Sequence, residues 1–154
     1  MSTTEKLKIK IGLSGTYWDR RPIYNILFND QLLFTKEITA ESNIVEYVEF
    51  DAEAAEGAVV LKIQLVNKLS TDTVESEDKS KILKDLLLNI ESIEIDDINL
   101  GQLPFNLCEY YPDQPVQFDN QTTTVVKNCM NLGWNGTWTL KWNNPFYIWL
   151  LENI

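Results

Sequence analysis

Four carboxylates, Glu91, Glu94, Asp96 and Asp97, make the tightest acidic cluster near a strand. Paired carboxylates can cleave glycosidic bonds by general acid–base chemistry. Glu91 and Asp97 share strand parity, as do Glu94 and Asp96, so each pair can share a face. An exposed polar strand face has the same pattern and is the preferred reading. The chain contains no histidine. That removes Ser-His-Asp and Cys-His nucleophile systems, histidine zinc sites and the usual general base near neutral pH. Cys108 and Cys129 are the two cysteines, too few for a four-thiolate site. They leave a bridge open, although two thiols in a domain this size are more often free. Gly12 and Gly15 lack the Lys-Ser or Lys-Thr of a phosphate loop. No catalytic activity is expected.

Aromatic side chains offer a second chemistry, stacking on sugar rings. Tyr17 and Trp18, beside Arg20 and Arg21 in an early loop, are the foremost candidates for glycan binding. Tyr110 and Tyr111, in a proline-containing connection, come second. The same residue types anchor protein interfaces. Trp138 and Trp142 alternate with polar residues and are expected in the core.

The elements that must position these residues are strands. Leu7, Ile9, Ile11 and Leu13 alternate with lysines, and Val59 to Leu65 and Thr137 to Trp142 alternate in the same way. Ile23–Phe28 and Gln31–Ile38 flank Asn29-Asp30, a hairpin signal. Ile44–Phe50 adds a strand. Asp51–Glu56 has helix-forming composition but is too short to stand alone. A polar loop spans Asn67–Lys84. In the strand from Leu86 to Ile98 the apolar phase slips near Glu91-Ser92, which predicts a bulge. Residues 101–121 read as an irregular connection and Thr122–Val126 as a short strand. The 154 residues suit one domain, an all-β antiparallel sandwich of the jelly-roll kind.

The formal net charge is −10. Nucleic acid is excluded as a partner, because phosphate contacts need clustered Lys and Arg. Anionic lipid is disfavoured for the same reason, and no apolar run is long enough to span a membrane. No secretory signal is visible after Met1.

Leu61 to Asn67, then a polar loop, then Asp85 to Ile95 with Ile90-Glu91-Ser92-Ile93, resembles the calcium-dependent, xylan-binding type of carbohydrate-binding module. The resemblance covers roughly residues 6–101. It implies the same sandwich fold and a cation site at the loop from Asn67 to Asp85. Asp85 matches the family pattern, and Asp72, Glu75, Glu77 and Asp78 lie nearby. The family's first loop aspartate falls at Lys68, and its Arg-Asn pair falls at Leu86 and Leu87. Calcium needs six to eight oxygen ligands. If calcium binds at all, Asp72 and Asp85 are its ligands.

The tail from Gly136 onward lies outside that family. It looks like the C-terminus shared by small proteins of marine tailed phages. Pro145 follows the turn residues Asn143 and Asn144, and Phe146–Leu151 reads as a second strand of an aromatic hairpin over residues 134–151. Phe146, Ile148 and Leu150 then point one way, and Tyr147, Trp149 and Leu151 the other. A strand apolar on both faces needs a cover, so Tyr147, Trp149 and Leu151 are expected to form an interface. The leading expectation is a non-enzymatic virion module, made in the host cytoplasm and exposed on the head or tail as a decoration protein. Its partners are other virion proteins or copies of itself. The alternative is a glycan-binding adhesion module that engages a cell-surface polysaccharide.

Overall fold

Strand alternation carries through the computed structural model, which describes residues 4–154. In chain order the first strands are β1 (Thr4–Thr16), β2 (Ile23–Phe28), β3 (Gln31–Glu37), β4 (Glu46–Ala55) and β5 (Gly57–Leu65). The following loop holds a 3-10 turn at Ser70–Asp72 and a ribbon of β6 (Val74–Glu75) and β7 (Ile82–Lys84). Next come β8 (Leu87–Ile95), β9 (Ile98–Asn99), helix α1 (Leu103–Leu107), β10 (Glu109–Pro112), β11 (Val116–Phe118) and β12 (Gln121–Thr123). β13 (Val126–Lys127), β14 (Asn131–Leu132), β15 (Gly136–Asn144) and helix α2 (Phe146–Asn153) complete the chain.

The strands form an all-β antiparallel sandwich. One sheet has the order β14-β8-β1-β4, with β9 against β8; the other runs β13-β10-β15-β5-β2-β3. The core lies between them. Leu7, Ile9, Ile11 and Leu13 of β1 are wholly buried, as are Leu61 and Ile63 of β5 and Trp138 and Leu140 of β15. The lysines that alternate with them face outward, and Lys6, Lys8 and Lys10 pair with Asp51, Asp97, and Glu49 with Glu94. Such exposed pairs contribute about 0–1 kcal/mol each.

Local signals explain most boundaries. Asn29 and Asp30 both take positive φ, 48° and 66°, as a two-residue hairpin with right-handed strand twist requires. The slip near Glu91 is real. Gly12 pairs with Ser92 and Leu13 with Ile90, so Glu91 is the extra residue of a bulge. Both cysteines are free thiols.

Four expectations need correction. Residues 51–55 are strand, because their pairing with β1 runs from Leu7 opposite Ala52 to Thr4 opposite Ala55, and tertiary pairing overrides propensity. The connection over 101–121 is not wholly irregular: it carries α1 and then β10, which lies between β13 and β15 in the second sheet. The strand expected over Thr122–Val126 divides, β12 pairing with β11 outside the sandwich and β13 joining β10.

The largest correction is at the C-terminus, where residues after Pro145 form helix α2 and not a strand. The buried residues are Phe146, Trp149 and Leu150, the i, i+3, i+4 spacing of a helix packed on one face. Trp149 is only 7% exposed and packs on Phe146, ring centroids 6.1 Å apart. It is a core residue of its own domain, so the interface assigned to it by strand alternation does not exist as drawn. Tyr147 and Leu151 remain exposed, together with Ile148.

Candidate functional site

The loops at the β1 C-terminal end of the sandwich gather most of the chain's unusual polar chemistry. Two ion pairs organise them. Arg20, four residues beyond β1, grips Asp72 with two nitrogens: Nε donates to Oδ1 at 3.2 Å, and Nη2 donates to Oδ2. Nη2 also donates to the Asn67 carbonyl at 2.6 Å. Bidentate guanidinium–carboxylate geometry is strong and directional. The Asp72 side chain is 4% exposed and takes a further bond from the Leu69 N–H at 2.7 Å. Burial alone would raise the Asp72 carboxyl; Arg20, the Leu69 N–H and Lys68 outweigh it and hold the group below the usual carboxylate range.

The second pair is Lys68 and Asp85. Lys68 Nζ donates to Asp85 Oδ1 at 2.8 Å and to the Gly133 carbonyl at 2.6 Å. The same carboxylate oxygen accepts from Thr73 Oγ1 at 2.7 Å and the Leu86 N–H at 2.9 Å. Here too burial opposes ionisation, and Lys68, Thr73 and Leu86 together leave the carboxyl below its ordinary value.

A cavity of about 620 Å³ opens beside Lys68. Its walls are Lys68–Ser70 and Thr73, Pro112–Gln114 with Val116, and Gly133–Asn135. Trp134 is the aromatic wall. The Trp134 N–H donates to the Tyr110 hydroxyl at 3.0 Å, and that hydroxyl donates to the Trp134 carbonyl. The indole also meets the Phe118 ring edge-on, centroids 6.4 Å apart. Asn135 fixes the floor through Lys68: its Oδ1 accepts the Lys68 N–H at 2.8 Å, and its Nδ2 donates to the Lys68 carbonyl at 2.9 Å. An apolar concavity with a few fixed polar groups is the usual form of a small-ligand site.

A smaller recess of about 330 Å³ lies on the Asp85 side of the same ion pair, lined by Tyr17, Trp18, Asn43 and Leu83 among others. Trp18 is 45% exposed and held at its edge, Nε1 donating to the Asp72 carbonyl at 2.9 Å. Lys84 Nζ stands 4.6 Å from its ring centroid, a cation–π contact.

The residues singled out from sequence therefore divide. Tyr17, Trp18, Asp72 and Asp85 do converge at this end. Tyr17 is partly buried, with its hydroxyl donating to the Ala40 carbonyl at 2.8 Å and Arg21 stacked 5.1 Å away. Arg20 is engaged with Asp72 and the Asn67 carbonyl, so it positions the loop. Tyr110 is wholly buried and stacks on nothing outside the protein; its role is to hold Trp134. Tyr111 is exposed but lines neither cavity. Trp134 was missed. Its signal is an aromatic set between turn residues, Gly133 before it and Asn135-Gly136 after.

The carboxylate cluster in and just after β8 is dispersed. Glu91 accepts from Ser14 Oγ at 2.7 Å, Glu94 faces Lys10 at 3.9 Å, and Asp97 faces Lys8 at 3.6 Å. Asp96 accepts from the Lys8 N–H at 2.9 Å and, with Asp97, takes positive φ in the turn to β9. These are structural carboxylates.

The donor set also fails to suit calcium. Asp72 and Asp85 each hold a side-chain cation of this chain, and Asp78 is turned to the hydroxyls of Ser76 and Ser80, each at 2.7 Å. Among the described residues no three acidic, histidine or cysteine side chains group closely enough to hold a metal ion.

No protein-family model matches the sequence, and no curated protein matches it. Solved structures do share its fold. The carbohydrate-binding module vCBM60 in complex with galactobiose superposes with a TM-score of 0.51 at 13% identity, over 86% of this chain and 95% of the other. A selenomethionine form of vCBM60, described as linking two families of calcium-dependent carbohydrate-binding modules through circular permutation, gives 0.50 at 12% identity, over 86% and 88%.

Proposed function

We propose that this chain is a non-catalytic glycan-binding module that takes a sugar chain into the cavity between Lys68, Pro112 and Trp134. The carrying observation is Trp134 on the wall of a cavity of about 620 Å³, its backbone held by the Tyr110 hydroxyl and its indole packed against the Tyr110 and Phe118 rings. A pre-set ring binds without losing rotamer freedom at the moment of contact. The fold shared with solved carbohydrate-binding modules supports the reading. The dispersed carboxylates and the missing histidine speak for binding without cleavage. Titration calorimetry with galactobiose, xylan and bacterial surface polysaccharides tests it. A positive ligand should lose at least about tenfold in affinity, ~1.4 kcal/mol, in Trp134→Ala. Undiminished binding in that variant would move the site elsewhere.

A second reading, a decoration module on a phage particle, draws on a different surface. Tyr147, Ile148 and Leu151 leave one side of α2 apolar and exposed. Docking through this helix would bury them against virion proteins or another copy. The reading places the protein on the particle surface, and mass spectrometry of purified particles tests it. The two roles can coexist, since the helix and the cavity lie on different parts of the fold.

A further inference from the structure

The solved neighbours include a module described as calcium-dependent, yet Asp72 and Asp85 of this loop are held by side-chain cations. The arrangement around Lys68 explains how the loop closes. Its ammonium draws together three separate segments: Lys68 itself just after β5, Asp85 just before β8, and the Gly133 carbonyl just before β15. Asp85 in turn holds Thr73, in the middle of the loop. Both partners of the ion pair are largely shielded, with side-chain exposures of 13% and 18%. A shielded positive charge ringed by a carboxylate and a carbonyl is the arrangement a bound metal ion would otherwise supply.

We infer that the Lys68 ammonium is the resident cation of this site, clamping the 67–86 loop onto Gly133 in the way a divalent ion would, so that the loop is ordered without metal. The clamp accounts for the lysine at the position where the family resemblance places an aspartate. It also accounts for Asp85, which retains its carboxylate but spends it on Nζ. The second pair, Arg20–Asp72, removes the other carboxylate that would be needed to recruit an ion.

The inference concerns the free chain and is independent of any glycan. The test is hydrogen exchange of the 67–86 amides, with calcium titrated into the unaltered protein by calorimetry. The unaltered chain should give no binding heat, and excess EDTA should leave loop exchange unchanged. Lys68→Met should speed exchange across 67–86 while β1 and β8 stay protected; Lys68→Arg should preserve much of the protection. If Lys68→Met does not fold, the double variant Lys68→Met/Asp85→Asn removes the uncompensated carboxylate and is measured instead, with the same loss of loop protection expected. Stoichiometric calcium binding by the unaltered chain would overturn the inference. So would loop protection unchanged in a folded variant lacking the ammonium. Neither readout uses a sugar, so failure to find a glycan ligand leaves the result standing.

Discussion

Trp134 hangs from Tyr110. One hydroxyl receives the Trp134 N–H and donates to the Trp134 carbonyl, and the two rings lie 6.1 Å apart at 34°. A residue wholly inside the sandwich thus pins the backbone from which the cavity-wall aromatic projects, and packs against its ring. Tyr110→Phe keeps the packing and removes both bonds. It should cost about 1–3 kcal/mol by denaturant titration, because the Trp134 N–H and carbonyl lose their partner. Trp134 should also become more mobile by fluorescence anisotropy. An unchanged midpoint and anisotropy would mean the hydroxyl positions nothing.

Acid should release the loop before the core. Asp72 and Asp85 both have folded pKa values below the unfolded carboxylate value of about 3.9. Their contribution is therefore present above about pH 4 and is lost as pH falls through the folded values. Tm should fall on acidification below about pH 4. Asp85→Asn should start from a lower Tm at neutral pH and show a shallower acid slope. Parallel curves for the two proteins would contradict this.

The two sides of α2 should behave differently. Trp149→Ala empties a buried position and should destabilise by about 3 kcal/mol. Leu151→Ser, at a position 73% exposed, should stay within about 0.5 kcal/mol of the parent. Chemical denaturation distinguishes them, and a large loss in Leu151→Ser would show that its exposure is not maintained in solution.

Gly136 is required for a close approach. A Cβ there would fall 2.6 Å from Pro112 Cα and against the Tyr111 carbonyl oxygen, both backbone of the neighbouring β10. Backbone cannot give way as a side chain can. Gly136→Ala should lower Tm and separate β10 from β15, read as faster exchange at Glu109 and Tyr111. A neutral substitution would mean that β10 shifts freely.

Tyr24 carries the opposite lesson. It is wholly buried, and its hydroxyl has no hydrogen-bond partner among the described residues. Burial, with Glu46 adding to it, pushes the phenol up to about 12. An unsatisfied buried hydroxyl costs about 1–3 kcal/mol, so Tyr24→Phe should be neutral or stabilising. A loss of more than about 1 kcal/mol would reveal a partner for the hydroxyl.

The sandwich was legible because its central strands alternate cleanly and their turns carry residues that tolerate positive φ. Even the Glu91 bulge showed as a change of phase. α2 was not legible as a helix, because the six consecutive apolar residues Phe146–Leu151 fit period 2 as readily as period 3.6. Only the choice of Phe146, Trp149 and Leu150 for burial separates the two, and that choice is made by the surface it packs on. The cavity was half legible. Trp18 stood out by type, whereas Trp134 depends on Tyr110 from a distant strand, and no local pattern announces such a partner. Arg20 and Asp72 were each noticed, but their mutual pairing, 52 residues apart in sequence, has no local signal.

The course of β1 has a consequence for how the molecule can be held. Thr4 begins the strand and Thr16 ends it at the cavity loops, a rise of roughly 40 Å at 3.3 Å per residue. The start of α2 returns to the Thr4 end, where the Phe146 N–H donates to Glu5 at 3.1 Å. Thr4 and the start of α2 thus lie together at the end of the sandwich turned away from Trp134. A surface or partner that held the molecule at that end would leave the cavity facing outward, like a hand extended from a fixed wrist.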